Sequence, residues 1–321
     1  MKVFLKKTVI FGFIIMMFCV GLELLLLTKP NVYSYKRKYV ESHLNDISFL
    51  LMGNSHIEEA LIPELLCDSS FNFAISAKGW QCDVELAERY IPQMNNLKIV
   101  VMPFSYQYFE LARTVGGKDV LNPTERKKAN NTYKCMQTKY LHVKQYGFRY
   151  WSEILYSGEN YMGRLKLNKD SRDFCDSLGF VKLSVENRAE NWKEQRVPGR
   201  FDPTKKRDEN AFEKFVQGHE TLAELCKEQG AELVLVSAPV YRTYQEAISD
   251  VIVQEMRDLA DSLNSKYHNI EYYNFLFAEG FEDDDFKDAG HLTETGAIKF
   301  SKMLADSLFS NSNGEERSFQ P

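Results

Sequence analysis

The chain has 321 residues, 44% of them hydrophobic and 13% aromatic, and its 40 Lys+Arg face 45 Asp+Glu for a net charge of −5. That length buries a proper core, and that composition excludes a disordered or low-complexity chain. The acidic balance excludes a uniformly basic nucleic-acid binder, so no nucleic-acid partner is expected. Cys67, Cys82, Cys135, Cys175 and Cys226 are scattered without C-x-x-C spacing and Cys19 lies in an apolar run, so neither a disulfide scaffold nor a zinc or thioredoxin motif is indicated.

The apolar run is residues 9–27 (VIFGFIIMMFCVGLELLLL), with Glu23 its one charge. At about 1.5 Å per residue it reaches across a bilayer core. A cleaved signal peptide would have a shorter apolar region ending in an A-x-A-like site, and Cys19 lacks the small preceding residue of a lipoprotein cleavage site. The expectation is an uncleaved signal anchor within residues 1–30, followed by a juxtamembrane linker at 31–45. Lys2, Lys6 and Lys7 before the span balance Lys29, Lys36, Arg37 and Lys38 after it, so charge alone does not orient it. A chain beginning near Tyr39 is expected to be soluble.

From residue 46 to 309, short apolar runs alternate with amphipathic stretches. Residues 47–52 (ISFLLM), 71–75 (FNFAI), 97–103 (LKIVVMP), 231–239 (AELVLVSAP) and 270–275 (IEYYNF) read as strands; the near-continuous apolarity of the first, third and fourth suits a parallel sheet covered on both faces. Helical periodicity covers 81–94, 210–229, 244–266 and 294–309, with Gly230 closing the second helix and Thr293 with Gly296 opening the last. The pattern predicts an α/β three-layer sandwich. Residues 113–207 break the rhythm with 21 Lys+Arg against 11 Asp+Glu and many aromatics. They read as an inserted, partly helical cap. The polar tail 310–321 is expected to be disordered.

Two short motifs carry chemistry. The first strand runs into Gly53-Asn54-Ser55-His56, and the carboxyl end of a first parallel strand is where such folds place reacting groups. The glycine permits a tight turn and leaves a helix N-terminus facing the serine, although a Gly-Asn-Ser helix cap is the commoner meaning of such a run. Before the last helix, Asp288 stands three residues ahead of His291, a spacing that lets a carboxylate hold one ring nitrogen while the other faces a substrate. His56 either lines that site or caps the following helix. The run 282–285 (EDDD) reads as a solvated loop rather than a metal cluster, and no metal or organic cofactor is expected.

The order of these motifs on an α/β pattern resembles the SGNH/GDSL hydrolase superfamily. It is similar in particular to the membrane-anchored envelope members that include the alginate O-acetylation and DltD-like proteins. Gly53-Asn54-Ser55 matches the Gly-Asp-Ser block with Asn for Asp, and Asp288 with His291 matches the terminal D-x-x-H block. Gly79 matches the glycine whose N–H helps bind the oxyanion. The third block departs: Pro103-Phe104-Ser105-Tyr106 stands where Gly-x-Asn-Asp is usual, so the asparagine donor is missing and Ser105 or Tyr106 is left to replace it.

The resemblance implies a flavodoxin-like parallel sheet and a catalytic set of Ser55, His291 and Asp288, with Ser55 and Gly79 N–H groups as oxyanion donors. His56, Trp80 and Tyr106 are candidate substrate contacts. The implied protein is a single-pass membrane protein with its domain extracytoplasmic, either hydrolysing or transferring an acyl group, acetyl above all, on an envelope or exported glycan. A polytopic acyltransferase is the implied partner. A non-catalytic glycan-binding or assembly protein of the same fold is the alternative that the altered third block motivates.

Overall fold

The computed structural model describes residues 1–27, 32–76, 79–109, 175–199 and 207–310. The first helix, α1 (Lys2–Leu27), is long and apolar enough to cross a membrane, and its large apolar side chains from Val3 to Val20, with Leu24 and Leu25, are exposed. A second helix, α2 (Val32–Ser42), occupies the stretch expected as a linker. It buries Val40 and the whole of Lys36, because a core position there accepts a charged end that finds partners. The strand β1 (Phe49–Leu51) follows, then a single helical turn, α3 (Ser55–Glu58), and β2 (Ser70–Asn72).

Helix α4 (Trp80–Tyr90) stops earlier than its periodicity predicts. Pro92 has no N–H to extend the ladder, and residues Ile91–Gln93 tighten into a 3-10 turn. After β3 (Ile99–Pro103) the chain reaches α5 (Glu209–Glu228), β4 (Glu232–Ser237) and two helices, α6 (Arg242–Ala247) and α7 (Asp250–Tyr267), where periodicity alone predicts one. The break lies at Ile248 and Ser249, both in extended backbone, and the phenol oxygen of buried Tyr106 accepts the Ser249 N–H at 3.0 Å. Then come β5 (Ile270–Asn274), a small antiparallel pair β6 (Phe286–Asp288) and β7 (His291–Leu292), and α8 (Glu294–Phe309), opened by Thr293 accepting from the Gly296 N–H.

The five longer-range strands form one parallel sheet in the order β2-β1-β3-β4-β5. β1 and β3 are buried along their whole lengths, as expected of strands covered on both faces. Strand order reverses between β1 and β3, so a crevice opens at their carboxyl ends. Backbone pairing runs past the strands there: Met52 N–H donates to Val101 O at 2.9 Å and Ile75 N–H to Gly53 O at 2.9 Å.

Most of the basic insertion, residues 110–174 and 200–206, lies outside the described residues, as does the tail 311–321. Residues 175–199 are the described part of that insertion. They form a strap bound by main-chain bonds to the domain body: Asn72 N–H to Leu178 O at 2.8 Å, Val181 N–H to Glu58 O at 3.1 Å, Glu294 N–H to Leu183 O at 2.8 Å, and Ala289 N–H to Gln195 O at 3.2 Å. Trp192 is buried under the Arg188 guanidinium, 4.0 Å from its ring. An extended strap of this kind has no side-chain period to betray it, because its order comes from backbone bonds to distant elements.

Candidate active site

Gly53 follows β1 with φ +116°, and a Cβ there would lie 2.2 Å from Pro103 Cδ. Only glycine lets the chain turn this close to the end of β3. The Gly53 N–H donates to Asp83 Oδ1 at 3.0 Å, which ties the turn to α4. Asn54 then caps α3: its Oδ1 accepts from the His56 N–H at 3.0 Å, and its Nδ2 donates to Tyr108 Oη at 2.8 Å. The second bond is one that an aspartate could not make as donor, and burial keeps the Tyr108 phenol neutral by pushing its pKa up, with the charge of Asp83 adding to the effect. Ser55 is the first helical residue, so its N–H has no acceptor within the helix.

Across the crevice, Ser55 Oγ lies 2.9 Å from His291 Nε2. His291 Nδ1 lies 2.8 and 3.0 Å from the two oxygens of Asp288, and Asp288 Oδ1 also accepts from the Gly290 N–H at 2.9 Å. The carboxylate can only accept, so the ring proton sits on Nδ1 and the Nε2 lone pair faces the serine hydroxyl. Burial works against charge on both groups and is outweighed in both. It would raise Asp288, yet the hydrogen bond and charge of His291 and the Gly290 N–H hold the carboxyl below its usual range. It would lower His291, yet the bond to Asp288 and the charges of Glu59 and Asp288 bring the imidazole above 6.5.

His56 stacks on His291 with ring centroids 5.2 Å apart and planes 17° from parallel. Burial first, and repulsion by His291 second, push its pKa down to about 3, so it presents a neutral face. It lines a small cavity with Ser105, Tyr106, Val240 and Tyr244 at the carboxyl ends of β3 and β4. The backbone of His56, not its ring, takes part in the helix cap.

Sequence reading had named Ser55, His56, Ser105, Asp288 and His291, and all five stand around this crevice. Gly79 stands at the N-cap of α4 in extended backbone. The other two named residues also make packing contacts, Tyr106 while lining the same cavity as His56. Trp80 meets Phe215 edge-on at 5.8 Å and covers Gly218, where a Cβ would lie 2.5 Å from its ring, so it is a wall of the α4–α5 contact. Tyr106 is 1% exposed and spends its oxygen on Ser249. Among the described residues no group of three or more His, Cys, Asp or Glu is arranged to hold a metal; in the 282–285 run, Asp285 is buried against Lys299 at 2.6 Å and Asp283 pairs with Lys193 at 2.7 Å. Sequence reading missed Arg196, whose charge acts on His56, Asp288 and His291 from a left-handed backbone at φ +66°. Arg196 had no local signal, since it lies in the aperiodic strap.

No family model and no curated protein matches the sequence. Among solved structures, a Streptococcus pneumoniae protein assigned as a platelet activating factor is similar with a TM-score of 0.40 and 12% identity, over 94% of this chain and 99% of that one. A GDSL-like lipase from Bacteroides thetaiotaomicron VPI-5482 is similar with a TM-score of 0.38 and 11% identity, over 87% of this chain and 100% of that one. Likenesses at this level say nothing of activity.

Proposed function

We propose that the chain is a membrane-anchored serine esterase or O-acyltransferase of SGNH/GDSL type, acting on acyl esters, acetyl above all, of an envelope or exported polysaccharide. The observation that carries the reading is the continuous hydrogen-bond chain from Ser55 through His291 to Asp288 at the carboxyl end of β1. Ser55 Oγ attacks the acyl carbonyl while His291 Nε2 takes its proton, and Asp288 stabilises the imidazolium that forms. The tetrahedral oxyanion faces the N–H groups of Ser55 and Gly79, and Ser105 is the side chain at the third block available to replace the missing asparagine. His291 then returns the proton to the leaving alcohol. Water or a sugar hydroxyl, deprotonated in turn by His291, attacks the acyl-Ser55 ester; as the bond to Ser55 Oγ breaks, His291 returns the proton to that oxygen and the enzyme is regenerated.

This chemistry calls on no metal or organic cofactor. The anchor α1 and an extracytoplasmic domain fit a glycan substrate outside the membrane, with a polytopic membrane acyltransferase as the partner that would furnish acyl groups. The test is labelling by a fluorophosphonate: the wild type is expected to be labelled and Ser55→Ala not. Absence of labelling in the wild type favours the second reading, a glycan-binding protein of the same fold, which the replaced third block supports.

A further inference from the structure

Lys36 belongs to α2, the segment that follows the apolar helix, yet its side chain is 0% exposed. Its ammonium donates to Glu58 Oε1 at 2.9 Å and to the Ala74 carbonyl at 2.6 Å. Glu58 ends the single helical turn that Ser55 begins. Its other oxygen, Oε2, accepts from the Ser76 N–H at 2.6 Å and the Ser76 hydroxyl at 2.5 Å, and the same hydroxyl reaches Glu59 Oε1 at 2.8 Å. Between Ala74 and Ser76, the Ile75 N–H donates to Gly53 O. One buried ammonium therefore clamps both sides of the nucleophile turn. On one side is α3; on the other is the strand exit 74–76, which leads toward Gly79.

A buried ion pair is a poor way to add stability, because desolvation offsets the attraction, and well-packed apolar residues serve that end as well or better. What it supplies is geometry, since the ammonium and both oxygens of the Glu58 carboxylate are held by partners fixed in place. Resting on the serine-esterase reading, we propose that Lys36 is a positioning residue: acting through Glu58 and Ser76, it fixes Ser55 relative to the strand exit at residues 74–76. The segment emerging from the apolar helix is then part of the catalytic machinery rather than a tether.

The experiment uses the full chain in detergent and p-nitrophenyl acetate. Lys36→Met with Glu58→Met removes the pair without stranding a charge. The expected result is a melting temperature within a few degrees of wild type, KM within twofold, and kcat lowered tenfold or more. Wild-type kcat in the folded double variant overturns the proposal, while fluorophosphonate labelling of its Ser55 leaves the esterase reading standing. Should the double variant not fold, Ser76→Ala decides, since it keeps the ion pair intact: kcat lowered at least threefold at an unchanged melting temperature supports the proposal, and unchanged kcat overturns it. A wild type that neither turns over the ester nor takes the label overturns both readings together.

Discussion

Replacing Gly53 by alanine probes the nucleophile turn directly, and Gly230 supplies its control. Both glycines have positive φ, +116° and +67°. A Cβ on Gly53 would meet Pro103 Cδ at 2.2 Å and Cγ at 2.5 Å, whereas a Cβ on Gly230 meets nothing within 4 Å. Gly230→Ala should therefore pay only the backbone term, about 1–2 kcal/mol. Gly53→Ala adds overpacking of about 1–3 kcal/mol to a backbone term of about 1–3 kcal/mol, for a total of roughly 2–6 kcal/mol. That is a large share of a stability of roughly 5–15 kcal/mol. With about 2–4 °C per kcal/mol in a domain this large, Gly53→Ala should melt about 4–24 °C below wild type and Gly230→Ala about 2–8 °C below. Differential scanning fluorimetry of the three proteins side by side reads this. Adding Pro103→Ala to Gly53→Ala should recover part of the loss, because the two side chains share one contact. Equal losses at Gly53 and Gly230, or no recovery with Pro103→Ala, would refute the claim that contact with β3 is what demands glycine.

Further outcomes follow from the same geometry. Ser55→Ala, His291→Ala and the double variant should lose similar activity on p-nitrophenyl acetate, since the two act as a unit; losses that multiply would show they are not partners. Because neutral His291 is the base and its folded pKa is raised above 6.5 by Asp288 and Glu59, kcat/KM should rise with pH through an inflection above that value. Asp288→Asn should move the inflection down and lower kcat on the order of 10⁴-fold, and an unmoved profile would contradict the assignment. A chain beginning at Val32 should be soluble and stable, whereas one beginning at Tyr39 loses Lys36 and strands the buried Glu58 carboxylate, at about 3–5 kcal/mol. Equal urea midpoints for the two truncated chains would show that the pair contributes nothing to the fold.

Local pattern was enough to place the strands and the outer helices of this protein. A strand covered on both faces must be nearly continuously apolar; β1 and β3 are throughout, and β4 is from Leu233 to Val236. The last helix, Glu294–Phe309, was legible to the residue, because Thr293 and Gly296 mark its start and its apolar spacing runs to its end. Gly53, Ser55, Asp288 and His291 also stood out, since a tight turn after a strand and a carboxylate three residues before a histidine are short-range signals. Bringing Ser55 to His291 across 236 residues is another matter, and it depends on the order in which five strands pair. The tertiary structure alone decided what α2 is, because a lysine after an apolar helix reads as an interfacial charge until Glu58 and Ala74 are seen around it. It alone showed Trp80 against Phe215 and Tyr106 both lining the cavity and holding Ser249, since an aromatic side chain reads the same in a pocket wall and in a core. The strap at 175–199 was invisible for a related reason: its order comes from main-chain bonds to β2, α3 and the Asp288–His291 block, and backbone groups are identical at every position of a sequence.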